Sequence, residues 1–326
     1  MKRLISLLLC ALLIIPALAE DAPDFEPIPW DIKVSPNLPN PDCYLPNNGG
    51  YHDDSIDIQI NVTYWTQDLQ QVDAPGEGTT TVMSARVKLT DVSQFRTGFA
   101  NKYPSKQARH VNDMTKRFNA VMGIDGDYCL YHEQGIVVRN GQTLRMRPHK
   151  GRDELIVDEN GDFHLITCTT QAKWDEYIAG GGTVLHAFCF GPALVLDGVP
   201  LTSLDGVTID NGKAKKAQRM VIGQIGKLEY LILTNEGPES TAPKSVGFDL
   251  VQMANLCVQF GLNNAYNLDG GSSSTIALNN QKINSPSSHK NRMVGDCIWF
   301  ATLVKEETWR EKSKESVQTV EVEENK

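Results

Sequence analysis

Five pairs of turn-forming residues, each set against short apolar runs, constrain the fold of this chain more than any other feature. Asn140-Gly141 separates residues 136–139 from 143–147, Asn160-Gly161 separates 155–157 from 163–167, and Asp197-Gly198 follows 193–196. Gly226-Lys227 divides 220–225 from 228–233, and Asn279-Asn280 follows 275–278. Tight hairpin turns of type I′ need positive φ at two successive residues, which glycine and asparagine tolerate. Runs this short, closed by such turns, predict a mostly antiparallel sheet.

Helical spacing is confined to a few segments. Val111, Met114 and Phe118 share one face of a helix expected over 105–118. Phe248, Val251, Leu256 and Phe260 do the same over 245–260, with Ser245 as a capping residue and Gly261 as a stop. A shorter helix is expected over 170–179. The first two are each followed by an apolar run, 119–124 and 265–268, and each run ends in an acidic glycine turn. These turns are Asp125-Gly126-Asp127 and Asp269-Gly270-Gly271. The repeated layout predicts two acidic loops converging at a sheet edge, within an α+β fold of mostly antiparallel sheet with a few helices.

The chain has 326 residues. Residues 1–19 read as a signal peptide, with Lys2 and Arg3 before an apolar stretch and Ala17-Leu18-Ala19 as a cleavage site. That stretch is too short to span a bilayer, so a secreted, periplasmic or extracellular protein without a transmembrane segment is expected. Residues 20–50 form a Pro/Asn-rich leader, residues 51–304 a single folded domain, and residues 305–326 a charged, disordered tail. Removing the signal takes two basic residues and no acid, which moves the net charge from −9 to −11. Such a chain lacks the basic footprint of a nucleic-acid binder. The six remaining cysteines (Cys43, Cys129, Cys168, Cys189, Cys257, Cys297) suggest three disulfides, and none is spaced as a zinc-binding pair.

The run Asn267-Leu268-Asp269-Gly270-Gly271-Ser272-Ser273-Ser274-Thr275 sets a carboxylate beside two glycines and four hydroxyls. Glycines allow close backbone approach to a ligand, and such a turn can offer N–H groups to an anion. Asp125, Asp127 and Asp269 can act as the carboxylates of a glycosyl-transfer site. They are equally hard oxygen ligands for a divalent cation such as calcium or magnesium. Arg86, Arg219 and Arg292 border strand-like runs and could fork onto phosphate oxygens. His186, inside an apolar run, reads as a core histidine, whereas His132 and His289 lie in polar loops. The serines do not form a nucleophile elbow, and there is no phosphate-binding P-loop, dinucleotide fingerprint or H-E-x-x-H motif.

The 267–275 run resembles the Asn-Leu-Asp-Gly-Gly-Gly-Ser-Ser-Thr hallmark of the phosphodiester glycosidase domain family. Weaker matches follow the family order. They are Asn119 to Tyr128, Phe190-Gly191-Pro192-Ala193-Leu194-Val195, Arg219-Met220-Val221-Ile222-Gly223 and Arg292-Met293-Val294. Ser272 replaces the third glycine, and Asp125 stands where the family has asparagine. The resemblance covers roughly residues 82–303. It implies hydrolysis of a small-molecule or polysaccharide sugar-1-phosphodiester on the sugar side, with release of a phosphomonoester. On that basis Asp269 would activate water or face the developing cation, with Asp127 and Asp125 beside it. Arg219, Arg292 and Arg86 would contact phosphate, and Asn267, Gly270, Gly271 and Ser273 would form the cradle. The sequence also admits a non-catalytic carbohydrate-binding or envelope-associated module using the same cleft, and a calcium-dependent polysaccharide-processing enzyme.

Overall fold

The computed structural model describes residues 25–207, 215–238, 240, 244–285 and 291–311. The signal peptide expected over 1–19, His289, and residues 312–326 of the tail lie outside the described residues. The fold is α+β, with all strand pairings antiparallel and three sheets carrying the core.

The largest sheet runs across Gly50–His52, Ile56–Trp65, Thr80–Leu89, Glu229–Asn235, Arg219–Gly226, Asn264–Asn267 and Ala193–Leu196, with short strands at both ends. Alternation along these strands splits its faces. Ile58, Val87, Ile222, Ile232 and Tyr266 enter a central core shared with the other two sheets. Val82, Val221, Leu233 and Ala265 pack instead against a helix on the opposite face. The second sheet orders Phe163–Ile166, Glu154–Val157, His186–Phe188, Gly135–Arg139 and Gln142–Arg147. In the third, Ile276–Leu278, Met122–Asp125, Asp296–Phe300 and Phe95–Phe99 lie side by side.

Three of the five expected turns form with positive φ at both named residues, whereas at 160–161 only Gly161 has it and between 226 and 229 Leu228 carries it. Asn140 and Gly141 have φ of 51° and 73°, Asp197 and Gly198 50° and 79°, and Asn279 and Asn280 49° and 59°. Each joins a paired hairpin.

Helix starts differ from the sequence reading. Helix α1 covers Val111–Phe118 rather than beginning at 105. Upstream, Arg109 exchanges both backbone hydrogen bonds with Val294, and that bridge holds the chain extended. Helix α2, Gln171–Ala179, begins as expected after the cap Thr170. Helix α3 covers Leu250–Gln259 and is capped by Asp249, which forms a reciprocal box with Gln252. Ser245 instead accepts the Thr81 N–H at 3.0 Å.

The leader packs onto the body from residue 25 rather than standing loose. Ile28 is buried and donates its N–H to Ser93 Oγ at 2.9 Å. The Ser35 N–H reaches the Phe118 carbonyl at 2.9 Å.

The three disulfides expected from the even cysteine count are absent, and all six described cysteines are free thiols. They are seated in different environments: Cys257 within α3, Cys297 in the third sheet, Cys168 at the surface. Cys129 and Cys189 share an apolar cluster, yet their sulfurs turn to charged groups. Cys129 Sγ lies 3.9 Å from Arg139 Nη2, and Cys189 Sγ 3.3 Å from Arg145 Nη2.

Candidate active site

The two acidic turns meet. Asp125 ends a strand of the third sheet, and Asp269 follows the strand Asn264–Asn267 of the main sheet. The Asp269 N–H donates to the Gly126 carbonyl at 3.2 Å, and the Thr275 N–H donates to Asp125 Oδ1 at 2.8 Å. A third carboxylate, Asp296, arrives where its strand pairs with Met122–Asp125, and Gly126 donates its N–H to the Asp296 carbonyl at 3.1 Å. The two glycine-bearing loops thus stack as the repeated layout predicts, but at the junction of two sheets rather than along one edge.

Arg139 occupies the middle of this junction. It comes from the second sheet, and its Nη2 lies 3.0 Å from both Asp127 Oδ1 and Asp296 Oδ2. Its guanidinium also sits over the Phe188 ring at 4.4 Å. Asp127 is fully enclosed, and its remaining bonds come from the Cys129 N–H at 3.2 Å and the Cys189 N–H at 2.9 Å. Burial opposes ionisation of Asp127, but Arg139 and the Cys189 amide outweigh it and hold the carboxyl below its ordinary range. Asp296 is pushed the other way, by burial and by the Asp127 charge. One arginine therefore faces two carboxyls, favouring the charge on Asp127 and disfavouring it on Asp296.

Asp127, Cys129 and Asp296 form the one described group with spacing suited to a metal ion. The Arg139 guanidinium already stands against all three of those ligands, so a dication there would meet a fixed positive charge. This donor set does not fit a metal while Arg139 holds it.

Asp269 differs from its neighbours in reaching solvent, with 9% of the residue exposed, whereas Asp125 and Asp127 are wholly covered. Burial raises its carboxyl to about 6, opposed by Ser273, the Arg292 guanidinium and the Gly270 amide. The Gly270 N–H donates to Asp269 Oδ1 at 2.9 Å. The Ser273 hydroxyl leans toward the carboxylate without reaching hydrogen-bond geometry. Burial and the nearby Asp269 charge raise Asp125 well above the usual carboxylate range, and its Oδ2 has no hydrogen-bond partner. Ser274 Oγ, Thr275 Oγ1 and Asn267 Oδ1 are likewise buried without partners. Buried polar atoms are nearly always satisfied, so this concentration marks a place for water or substrate hydroxyls.

The glycines act differently from the expected N–H cradle. Gly271 donates its N–H to the Gln218 carbonyl at 3.0 Å, and Ser273 donates to Gly270, so the turn closes on itself. A Cβ on Gly270 would stand 2.9 Å from the Gln218 carbonyl oxygen, so glycine is needed for close packing. Asn267 ties the turn to the Phe190-Gly191-Pro192 segment through its amide and the Gly191 carbonyl at 2.8 Å.

Of the three candidate arginines, the structure brings one to the acids. Arg292 is exposed, faces Asp269 and lies over the Tyr128 ring at 5.4 Å. No described residue takes a hydrogen bond from it. Arg219 is buried and donates to the Lys215 and Phe248 carbonyls at 2.6 and 3.4 Å. Arg86 sits three strands away from Asn264–Asn267, exposed and paired with Glu229. His132 Nδ1 bonds the Gln134 carbonyl at 3.0 Å, and burial together with Arg152 lowers its basicity. His186 is a core histidine, wholly buried and ringed by Trp30, Phe95 and Phe188.

Sequence reasoning missed Asp296, Arg139 and Glu154. Glu154 is buried in the second sheet, accepts the Ile136 N–H at 2.8 Å, and is raised well above its ordinary range by burial. Each is a charge at the end of an apolar strand run, a pattern that signals a buried partner.

The family profile of the phosphodiester glycosidases matches residues 118–301, more than half of the chain and all the site segments above. The chain belongs to the phosphodiester glycosidase family. Glycosidase chemistry is therefore its family-level activity. Among solved structures, it is similar to the catalytic domain of zebrafish N-acetylglucosamine-1-phosphodiester alpha-N-acetylglucosaminidase, a structure described as auto-inhibited by its pro-peptide. The TM-score is 0.59 at 14% identity, covering 78% of this chain and 86% of that one. A hypothetical protein from Synechocystis gives 0.49 at 13%, covering 76% and 62%. A putative exported protein from Burkholderia pseudomallei gives 0.47 at 15%, covering 70% and 75%. No curated protein matches the sequence. At these identities the zebrafish likeness shows a shared fold, and this phosphodiester glycosidase member departs from the family hallmark at Ser272 and Asp125.

Proposed function

We propose that the protein hydrolyses a sugar-1-phosphodiester on the sugar side, releasing a sugar and a phosphomonoester outside the cytoplasm. The observation that carries this reading is the exposed Arg292 guanidinium, seated over Tyr128 and close enough to Asp269 to act on its charge. A carboxyl raised to about 6 stands at the surface of a buried acid cluster, and a guanidinium with no hydrogen-bond partner among the described residues acts on its charge. The name of the zebrafish relative points to the same substrate class.

In this reaction the glycosidic oxygen belongs to a phosphate, which leaves readily because the monoester's second pKa is about 6. Proton donation to the leaving group matters less than in an ordinary glycoside. Arg292 neutralises the charge that grows on the departing phosphate. Asp269, ionised, takes a proton from water as the water oxygen bonds to the anomeric carbon and the carbon–oxygen bond to phosphate breaks. Asp127 stays ionised against Arg139, and this neutral pair fixes the turn on which Asp269 rests. Asp125, wholly covered and with its charge disfavoured by burial, stands behind Asp269 and holds the Thr275 N–H rather than touching the sugar.

The test is turnover of a panel of sugar-1-phosphate diesters, reading both sugar and phosphomonoester, with and without EDTA. Asp269→Asn should lower kcat by about 10²–10⁴-fold while leaving the fold intact by circular dichroism. Near-normal turnover in that variant would remove Asp269 from the mechanism. Sugar-phosphate binding without any hydrolysis would favour the non-catalytic module, and loss of turnover in EDTA would assign a cation a role in the reaction.

A further inference from the structure

Arg292 is an exposed arginine with no hydrogen-bond partner among the described residues, and such a side chain would ordinarily sweep through many rotamers. Here it is stacked. Its guanidinium lies 5.4 Å from the centre of the Tyr128 ring, and Tyr128 in turn stacks on Tyr131 with ring centres 4.5 Å apart and planes 25° apart. Tyr131 is anchored at its far end, where its hydroxyl donates to the Lys106 carbonyl at 3.1 Å.

The backbone is bent to place this stack. Tyr128 has φ of 58°, in the left-handed region that a bulky residue rarely enters. It follows Asp127 directly, so the half-buried ring lies one residue from the buried acid. Beyond it, Arg145 holds the loop in shape by donating to the carbonyls of Cys129, His132, Gln134 and Gly135 at 2.6 to 3.1 Å. The loop carrying the two tyrosines is thus fixed from below while its aromatic face meets Arg292.

We propose that Tyr128, backed by Tyr131, is a positioning residue that pre-sets Arg292 as an anion clamp beside Asp269. The ring contact leaves the five N–H donors of the guanidinium free and restricts the conformations that Arg292 can visit. A planar group held this way suits bidentate capture of a phosphate oxygen pair. Neutral glycosides would gain nothing from it, so the stack selects for the phosphodiester. This inference rests on the reading of Arg292 as the phosphate contact, and its test does not depend on turnover.

The probe is inorganic phosphate, titrated against the full-length protein by calorimetry. Wild type should bind it, Arg292→Ala should lose most of that binding, and Tyr128→Ala should weaken it about tenfold. Tyr128→Phe keeps the ring face and should bind like wild type. The same variants are then assayed on a sugar-1-phosphodiester and on the neutral aryl glycoside of that sugar. Tyr128→Ala should raise KM for the diester with a smaller change in kcat, and leave the aryl glycoside unaffected. Phosphate binding that ignores Tyr128, or equal losses on both substrates, would overturn the positioning role. Absence of phosphate binding in wild type would overturn the clamp itself. Hydrolysis failing while phosphate binding follows the predicted order would sink the proposed reaction and leave the clamp standing.

Discussion

Asp269 holds a stability cost and a chemical capability in the same carboxyl. Its folded pKa of about 6 exceeds the ordinary value of 3.8 because burial disfavours the charge. A raised carboxyl favours folding below its unfolded pKa, and that contribution is lost as pH climbs through 6. Asp269→Asn should therefore raise stability above pH 7 by up to about 3 kcal/mol, since each pKa unit is worth about 1.4 kcal/mol. Below pH 4 it should change little, and chemical denaturation at both pH values reads the difference. For wild type, kcat/KM should rise along an acid limb centred near 6. Arg292 lowers the Asp269 pKa, so Arg292→Leu should move that limb upward as well as weaken phosphodiester turnover. An unmoved limb would mean that another group controls it. Asp125, Asp127 and Asp269 were legible because each sits in a glycine turn that the local sequence spells out. Asp296 and Arg139 were not, because their meaning depends on a partner in another sheet. The hint was energetic rather than patterned: Arg139 closes the run Ile136-Val137-Val138, where a lone charge demands a counter-charge.

At the scale of elements, turns were easier to read than helix starts. Positive φ at Asn140, Asp197 and Asn279 follows from residue type alone, so the hairpins could be placed without tertiary knowledge. The start of α1 depends on Val294, which lies far along the chain and captures the Arg109 backbone. The start of α3 turned on two capable caps, Ser245 and Asp249, and the capping box with Gln252 decided it. The acidic turns carry the same lesson into function. A Cβ on Gly126 would lie 2.5 to 2.6 Å from the Asp296 carboxylate, so that glycine is fixed by a residue 170 positions away. Gly126→Ala should push Asp296 off Arg139 and cost about 1–3 kcal/mol, with a matching fall in kcat. Gly76, whose added Cβ would meet nothing within 4 Å, is the control, and Gly76→Ala should leave both unchanged. Thermal melts with turnover of one phosphodiester would decide, and equal behaviour of the two variants would refute the packing argument.

Across the whole molecule, the site exists only where three sheets close on one another. The main sheet supplies Asp269, the third supplies Asp125 and Asp296, and the second supplies Arg139 and the Cys189 N–H. The class of fold was legible from turn spacing, but strand order was not, since it pairs segments such as Thr80–Leu89 and Glu229–Asn235 across most of the domain. Arg139 is the joint, holding one acid from each of two chain segments in a place closed to water. Breaking a buried ion pair by removing one partner leaves an uncompensated charge and costs about 3–5 kcal/mol. Arg139→Met should show a loss of that order at pH 7. Without the guanidinium, Asp127 loses what holds its pKa low, so the loss should shrink as pH falls and the carboxyls neutralise. Adding Asp127→Asn and Asp296→Asn to Arg139→Met removes the charges altogether and should recover much of the stability. Hydrolysis should not return, because the ion pairs that fix the acidic turns beneath Asp269 are gone. If the single variant is as stable as wild type, the triad does not join the sheets. If the triple variant regains turnover along with stability, Asp127 has no part in the chemistry.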